Sequence, residues 1–359
     1  MMLLPVLATA VRLMPMVEPI VVTNAHAAAM RTYRAESVRE NWYCKSPYPP
    51  GAGNPGYGYP AKIEPYEADA GLLSELEKRP GLDARWFRRD PLPEEKRTDG
   101  SASGLNVKWL ASCGRYADAI PFLLFRPKAN SCLKPWQWGR KVPLVVFMPG
   151  CGEQGSDPKL LFRQRACIDT VTSAAFQEKR PCWLLVPMPP EHANCNIPRG
   201  YPTQPRAPLV TLFNDLVLKV VEESGEADAP AIDRSRLYLT GLGSGGTLAA
   251  VMAFDHPGRY AAVMPVWSAP HVEPAVHPDA PGAWWYGWED RTWKSDEAMW
   301  PRKMLDGFAA HVRELGGDFV IRTYPTPGNG CWWDAAWTSE ELWNWCFEKE
   351  SKREAEVPE

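Results

Sequence analysis

The segment Arg236–Ala250 reads RLYLTGLGSGGTLAA, an apolar strand pattern, a glycine-rich turn and then small helix-compatible residues. A strand that turns sharply into a helix can hold up one nucleophilic side chain between two glycines, because the backbones meet too closely there for a Cβ. Those flanking glycines are Gly241 and Gly245, and the position between them is Gly243. Ser244 follows one residue later. As a nucleophile it would be flanked by Leu242 and Gly246, and a bulky leucine does not suit the turn. A role at the helix start suits Ser244 better, with its hydroxyl capping free N–H groups. Glycine suits position 243 because the tip of such a turn needs positive φ, which costs a residue with a Cβ about 1–3 kcal/mol.

Other candidate chemistry is weaker. GLGSGG lacks the Lys-Ser/Thr of a phosphate loop, and it follows a late strand rather than opening the fold as a dinucleotide site would. Glu289 and Asp290 are adjacent, and adjacent loop carboxylates do not have the separation of a glycosidase acid–base pair. Of the six histidines, His26 lies near the N-terminus, His256 precedes Pro257 at a helix end, and His311 lies on a helix. His192, His271 and His277 fall on loops after strands and are read as solvated. Nine cysteines occur without a CxxC pair, so no zinc ribbon or thioredoxin motif is expected, and neither is any metal or cofactor. An odd number leaves one thiol unpaired within the chain. Small buried hydrophobes are favoured over disulfides as their role.

The elements that must position this turn read as alternating strands and helices. PLVVFM at 143–148, residues 182–188 and 236–240 are continuous apolar runs, as central strands covered on both faces require. Residues 105–110 and 120–125 read as an antiparallel pair, and 261–266, 283–286 and 319–324 as further strands. Helices are expected at 158–177, 209–223, 247–254, 302–315 and 339–347, with a short one at 68–78. The alternation predicts an α/β fold with a mostly parallel central sheet and helices on both faces.

Residues 120–350 resemble the α/β-hydrolase esterases related to polyhydroxybutyrate depolymerases and predicted peptidases. PLVVFMPGCGEQGSD at 143–157 is similar to a strand entering the family's oxyanion turn, which would place Gly150 and Cys151 there beside the Ser244 backbone. Thr240–Gly246 resembles the nucleophile elbow, Gly287–Asp290 the acid motif, and YPTPGNGCWW at 324–333 the histidine turn. The resemblance implies an α/β-hydrolase domain over 103–350. It also implies a degenerate triad, with Gly243 at the nucleophile, Asn329 at the histidine, and Asp290 alone keeping its type. Pro149 stands where the family has a histidine before the oxyanion glycine. An aspartate orients nothing without an imidazole.

Composition frames this reading. The 359 residues carry 40 basic and 43 acidic side chains, net −3, which gives no electrostatic case for nucleic acid. No run of about 18 apolar residues exists, so no integral membrane segment is expected. Residues 1–35 are read as an organellar or secretory leader or a disordered tail. Residues 36–102 are read as an extension, rich in the chain's 37 prolines and in glycine, and 351–359 as a charged tail. Of 17 tryptophans, ten lie between Trp284 and Trp345. Those on late loops converge at the C-terminal edge of a parallel sheet. Trp284, Trp285, Trp288, Trp293 and Trp333 are therefore candidates for a surface that meets a protein partner or a small aromatic or sugar-like ligand. Two function classes follow: a degenerate hydrolase acting as a binding or structural subunit, or an active serine esterase using Ser244 with a displaced histidine. The sequence favours the first.

Overall fold

The computed structural model describes residues 61–89, 119–127, 140–150, 152–189, 207–225, 229–256, 258–268, 282–294, 299–325 and 331–351. Its strands are β1 Ala61–Pro65, β2 Leu82–Arg89, β3 Ala119–Phe125, β4 Val142–Met148, β5 Trp183–Pro187, β6 Ile232–Leu242, β7 Ala262–Val266, β8 Ala283–Glu289 and β9 Asp318–Tyr324. Its helices are α1 Ala70–Glu77, α2 Ala166–Thr172, α3 Ala174–Lys179, α4 Ala207–Glu223, α5 Ser244–Asp255, α6 Asp290–Lys294, α7 Met299–Glu314, α8 Trp332–Thr338 and α9 Glu340–Phe347, with a 3-10 segment at Pro158–Gln164. The strands form one sheet in the order β1-β2-β3-β5-β4-β6-β7-β8-β9. From β5 to β9 every pairing is parallel, and β1, β2 and β3 add antiparallel strands at one side.

The apolar runs occupy the centre because both sheet faces are covered. Along β4, Leu144, Val146 and Met148 point into one core with Phe213, Leu216, Met252 and Phe308, which come from α4, α5 and α7. Val145 and Phe147 point into the opposite core with Ile168, Trp337 and Trp343, from α2, α8 and α9. Each such fully buried aliphatic side chain contributes roughly 1.5–3 kcal/mol. Val146 pairs with Leu239 and Val145 with Tyr238 in the parallel β4–β6 register. The buried Thr240 hydroxyl donates to the Met264 carbonyl at 2.8 Å and accepts from Trp337 Nε1 at 3.0 Å, so this polar group inside the second core is satisfied.

Two local readings differ from the sequence expectation. The sheet begins at Ala61, inside the stretch read as an extension, and β2 pairs with β3 from Leu82 opposite Phe125 to Arg88 opposite Ala119. Charged residues in LDARWFRR hide this strand, because among its described side chains only Leu82, Ala84 and Phe87 are buried, while Arg85 is half-buried and Arg88 exposed. The expected strand at 105–110 lies outside the described residues. The partners of β3 are β2 and β5. No described helix is long and apolar enough to cross a membrane.

Trp284 tests the packing. It is fully buried and meets Phe308 edge-on at 4.7 Å between ring centroids. Trp284→Ala should cost about 3–5 kcal/mol, read as a lowered urea midpoint at unchanged slope.

Candidate functional site

The strand β6 ends at Leu242, Gly243 takes φ 55 and ψ −116, and α5 starts at Ser244. The turn is tied to its neighbours through backbone groups. Gly243 N–H donates to the Val266 carbonyl at 2.9 Å, and the Gly243 carbonyl accepts from Thr247 N–H at 3.1 Å. The four glycines here serve different needs. A Cβ on Gly245 would lie 2.1 Å from the Met148 carbonyl oxygen and 2.3 Å from that of Pro149. One on Gly241 would lie 2.6 Å from Gly245, and one on Gly246 2.8 Å from the Gly241 carbonyl. A Cβ on Gly243 would meet nothing nearer than the Trp267 carbonyl at 3.9 Å. Three glycines therefore exist for room. The one at the tip serves its left-handed backbone, and among the described residues only the Trp267 carbonyl comes within 4 Å of that position.

Trp267, directly after β7, borders that space. It has φ 51, the single positive φ among described residues other than glycine, and it is 46% exposed. Its N–H donates to the Gly287 carbonyl at 2.9 Å, which fixes the strained backbone against β8. Its ring stacks on Trp333 at 5.5 Å and 11°, and meets Trp332 edge-on at 6.2 Å. Beneath it the buried hydroxyls of Thr247 and Ser268 hydrogen-bond each other at 2.9 Å.

On the other side of the turn stands Gly150, whose would-be Cβ lies 3.2 Å from Glu153 Oε2, 3.3 Å from Gln164 Nε2 and 3.4 Å from the Leu242 carbonyl. Glu153 is 3% exposed. Its Oε2 and the buried Oε1 of Gln164 have no hydrogen-bond partner among the described residues. Burial pushes the Glu153 carboxyl above its ordinary value near 4.5, with the Gly150 backbone and the Arg163 charge offsetting part of the rise.

Asp290 opens α6 at the end of β8. It accepts from Lys294 Nζ at 2.7 Å and from the Thr323 hydroxyl at 3.2 Å. The Lys294 hydrogen bond, followed by its charge, holds the carboxyl below its ordinary value. No described histidine accompanies this edge of the sheet. His256 caps the far end of the 12-residue α5, about 18 Å along its axis, and burial lowers its pKa to about 3. His311 sits in the last turn of α7, which leads into the start of β9 at the opposite edge. Cys151, Asn329, His192, His271 and His277 lie outside the described residues. Among the described residues no group of three His, Cys, Asp or Glu is arranged to hold a metal ion.

The late tryptophans need correction. Trp284, Trp285 and Trp288 are buried, at 0%, 2% and 5% exposure, and are core rather than surface. They lie on β8, where Trp284 and Trp288 face one core and Trp285 the other, because successive strand residues alternate faces of a doubly covered sheet. The side chain of Trp293 is not described. Trp333 is half-buried and does reach the edge. Sequence reading missed Trp267, Glu153 and Gln164. For Trp267 a signal existed, since it follows a parallel strand next to the glycine turn.

A comparison with protein-family models and with curated proteins finds no match. Among solved structures, the chain is similar to a thermostable esterase with 26% identity and TM-score 0.50, covering 65% of this chain and 60% of that one. It spans less than two thirds of that esterase's length. It also aligns with a ferulic acid esterase (14% identity, TM-score 0.41, 64% of this chain and 92% of that one). A fluorophosphonate-binding serine hydrolase of Staphylococcus aureus aligns as well (14%, 0.40, 61% and 89%). The fold is that of the α/β-hydrolase superfamily.

Two outcomes check the local physics. Gly245→Ala should unfold the protein or cost several kcal/mol, because its Cβ has no space at the Met148 carbonyl, whereas Gly243→Ala should cost only about 1–3 kcal/mol of backbone strain. Urea titrations of both variants separate the cases. Glu153 gives a pH test. Its proton is held more tightly in the folded chain, so its contribution is full below about 4.5 and is lost as pH rises through the raised folded value. Glu153→Gln should therefore flatten the fall in urea midpoint as pH rises above about 4.5.

Proposed function

We propose that the chain is an α/β-hydrolase-fold binding protein whose nucleophile position is vacated. One observation carries this reading. At the tip of the β6–α5 turn, where a Cβ would meet no described residue nearer than 3.9 Å, the residue is Gly243 with φ 55. The strained backbone that an elbow nucleophile needs is kept, and the functional atom is gone. Asp290, the acid of the family pattern, is engaged by Lys294 and Thr323. In triad enzymes, loss of the nucleophile alone lowers turnover by on the order of 10⁶. A hollow with apolar walls and a few polar groups still binds without one.

A second reading is an active carboxylic ester hydrolase using Ser244 and a displaced histidine. The similarity to a thermostable esterase favours it at the level of class. So does the half-buried position of Ser244 at the first residue of α5, where helix N–H groups favour an oxyanion. The two readings separate under a fluorophosphonate probe with a chromogenic short-chain ester. We expect no labelling and no turnover above background. Labelling at Ser244 that disappears in Ser244→Ala would establish the second reading. Gly243→Ser is expected to leave turnover at background, because the amide of Asn329 cannot take a proton as imidazole does.

A further inference from the structure

We infer that residues 61–79, which carry β1 and α1, form a strap that fixes the turn after β4, and that Arg79 is the positioning residue through which the strap acts. This goes beyond the reading of the site as binding or hydrolytic and holds for either, because that turn walls the edge through Gly150 in both.

Arg79 lies between α1 and β2 and is 8% exposed, so its charge is inside the fold. Its Nε and Nη2 donate to Asp169 Oδ1 on α2 at 2.6 and 2.5 Å. Its Nη1 donates to the Glu75 carbonyl at 2.8 Å and to Glu75 Oε2 at 3.0 Å. Its guanidinium carbon stands 4.7 Å from the ring centroid of Phe162, on the 3-10 segment. One side chain therefore joins α1, the 3-10 segment and α2. A buried charge is costly unless its partners are well placed, so it fixes those partners relative to one another. A second tie lies at the start of α1. Asp69 caps α1 by accepting from Leu72 N–H at 2.9 Å, and Asp157 caps the 3-10 segment by accepting from Lys159 N–H at 3.0 Å. Lys159 Nζ spans both carboxylates, 2.7 Å from Asp69 and 3.5 Å from Asp157. A Cβ on Gly71 would lie 3.3 Å from Lys159 Cδ, so α1 sits close against the segment. Leu72 enters the core that holds Leu161 and Phe162, and the Tyr66 hydroxyl donates to the Ser156 carbonyl at 3.1 Å.

The segment that receives these contacts needs support from outside. Hydrogen bonds in a 3-10 helix are poorer than in an α-helix, and runs beyond three or four residues are uncommon. This one has seven residues. From it the contacts run inward to the vacated edge. Arg163 Nη1 donates to the Gly152 carbonyl at 3.1 Å. Gln164 Nε2 and Glu153 Oε2 lie 3.3 and 3.2 Å from where a Cβ of Gly150 would sit. That same point is 3.4 Å from the carbonyl of Leu242, the residue before Gly243. Packed contacts thus lead from α1 to the tip of the β6–α5 turn through a segment whose own hydrogen bonds are weak. The two ties differ in strength. Lys159 and Asp69 are 38% and 61% exposed, and exposed pairs contribute little. The buried Arg79 is the stronger link.

Amide hydrogen exchange of the full chain, read by mass spectrometry on peptides, tests the strap. The hydrogen-bonded N–H groups of Glu153, Gly155 and Leu160 report on the turn and the segment. Arg79→Leu should speed exchange about tenfold or more in peptides 150–157 and 158–165, while 236–242 on β6 and 283–289 on β8 change less than about twofold. Arg79→Lys keeps the charge but lacks the fork that reaches both carboxylates, so it should fall between the two. Lys159→Met cuts only the exposed tie and should speed 158–165 about two- to threefold. Unchanged exchange across 150–165 in Arg79→Leu overturns the inference. So does a rise of equal size in all four peptides that tracks a lowered urea midpoint, which is what a merely structural Arg79 would give. If Arg79→Leu does not fold, Lys159→Met decides, and unchanged exchange in 158–165 then overturns the inference. Neither ester turnover nor probe labelling enters the readout, so failure here leaves the reading of the site standing.

Discussion

The close approach of α5 to the end of β4 is the constraint on which the rest of the edge depends. Gly245 lies so near the Met148 and Pro149 carbonyls that no side chain fits, and Gly241 and Gly246 are nearly as crowded. That contact lets the helix leave the strand at once and lie back over the sheet, its alanines packing against β4, β6 and β7. The Gly243 N–H then reaches Val266, and the following Trp267 N–H reaches Gly287. Three parallel strands are thereby held level at their C-terminal ends. The tip residue, Trp267 and the acid-bearing end of β8 share one edge for this reason.

Behind that edge the sheet is packed on both faces, and most of the described aromatic side chains go there. On β8 the pleat sends Trp284, Tyr286 and Trp288 into one core and Trp285 into the other. Phe308, Phe319 and Tyr286 form mutual ring contacts between 5.3 and 6.3 Å, and Phe176, Trp343 and Phe347 form them between 5.2 and 6.3 Å on the opposite face. Such rings bury large areas with defined geometry. A rigid double core can hold an unfavourable feature at its rim, and two are present: the positive φ of Trp267 and the unmet oxygens of Glu153 and Gln164. Both destabilise the fold locally: the Trp267 carbonyl stands 3.9 Å from where a Cβ of Gly243 would sit, and the Glu153 and Gln164 side chains meet beside Gly150.

Much of this was legible in the chain. Uninterrupted apolar runs at 143–148 and 236–240 announced buried parallel strands, because a strand covered on both faces needs no polar side. The spacing of Gly241, Gly243, Gly245 and Gly246 announced a crowded turn with an unusual backbone, since only glycine tolerates both conditions. The order of motifs around them pointed to the hydrolase fold. These are local signals, carried by neighbouring residues.

Tertiary structure alone decided the rest. Strand β2 was masked by the charged residues in its sequence and became a strand by pairing with β3. Whether a late tryptophan is core or surface followed from the pleat of β8 and from the helix that covers each face, neither of which its position in a tryptophan-rich run reveals. The left-handed φ of Trp267 is held by a hydrogen bond to a residue 20 positions away, Gly287. Glu153 and Gln164 look like ordinary polar residues in the chain. They meet only because the loop after β4 and the 3-10 segment fold against the same glycine, Gly150, a long-range packing that periodicity and propensity do not encode.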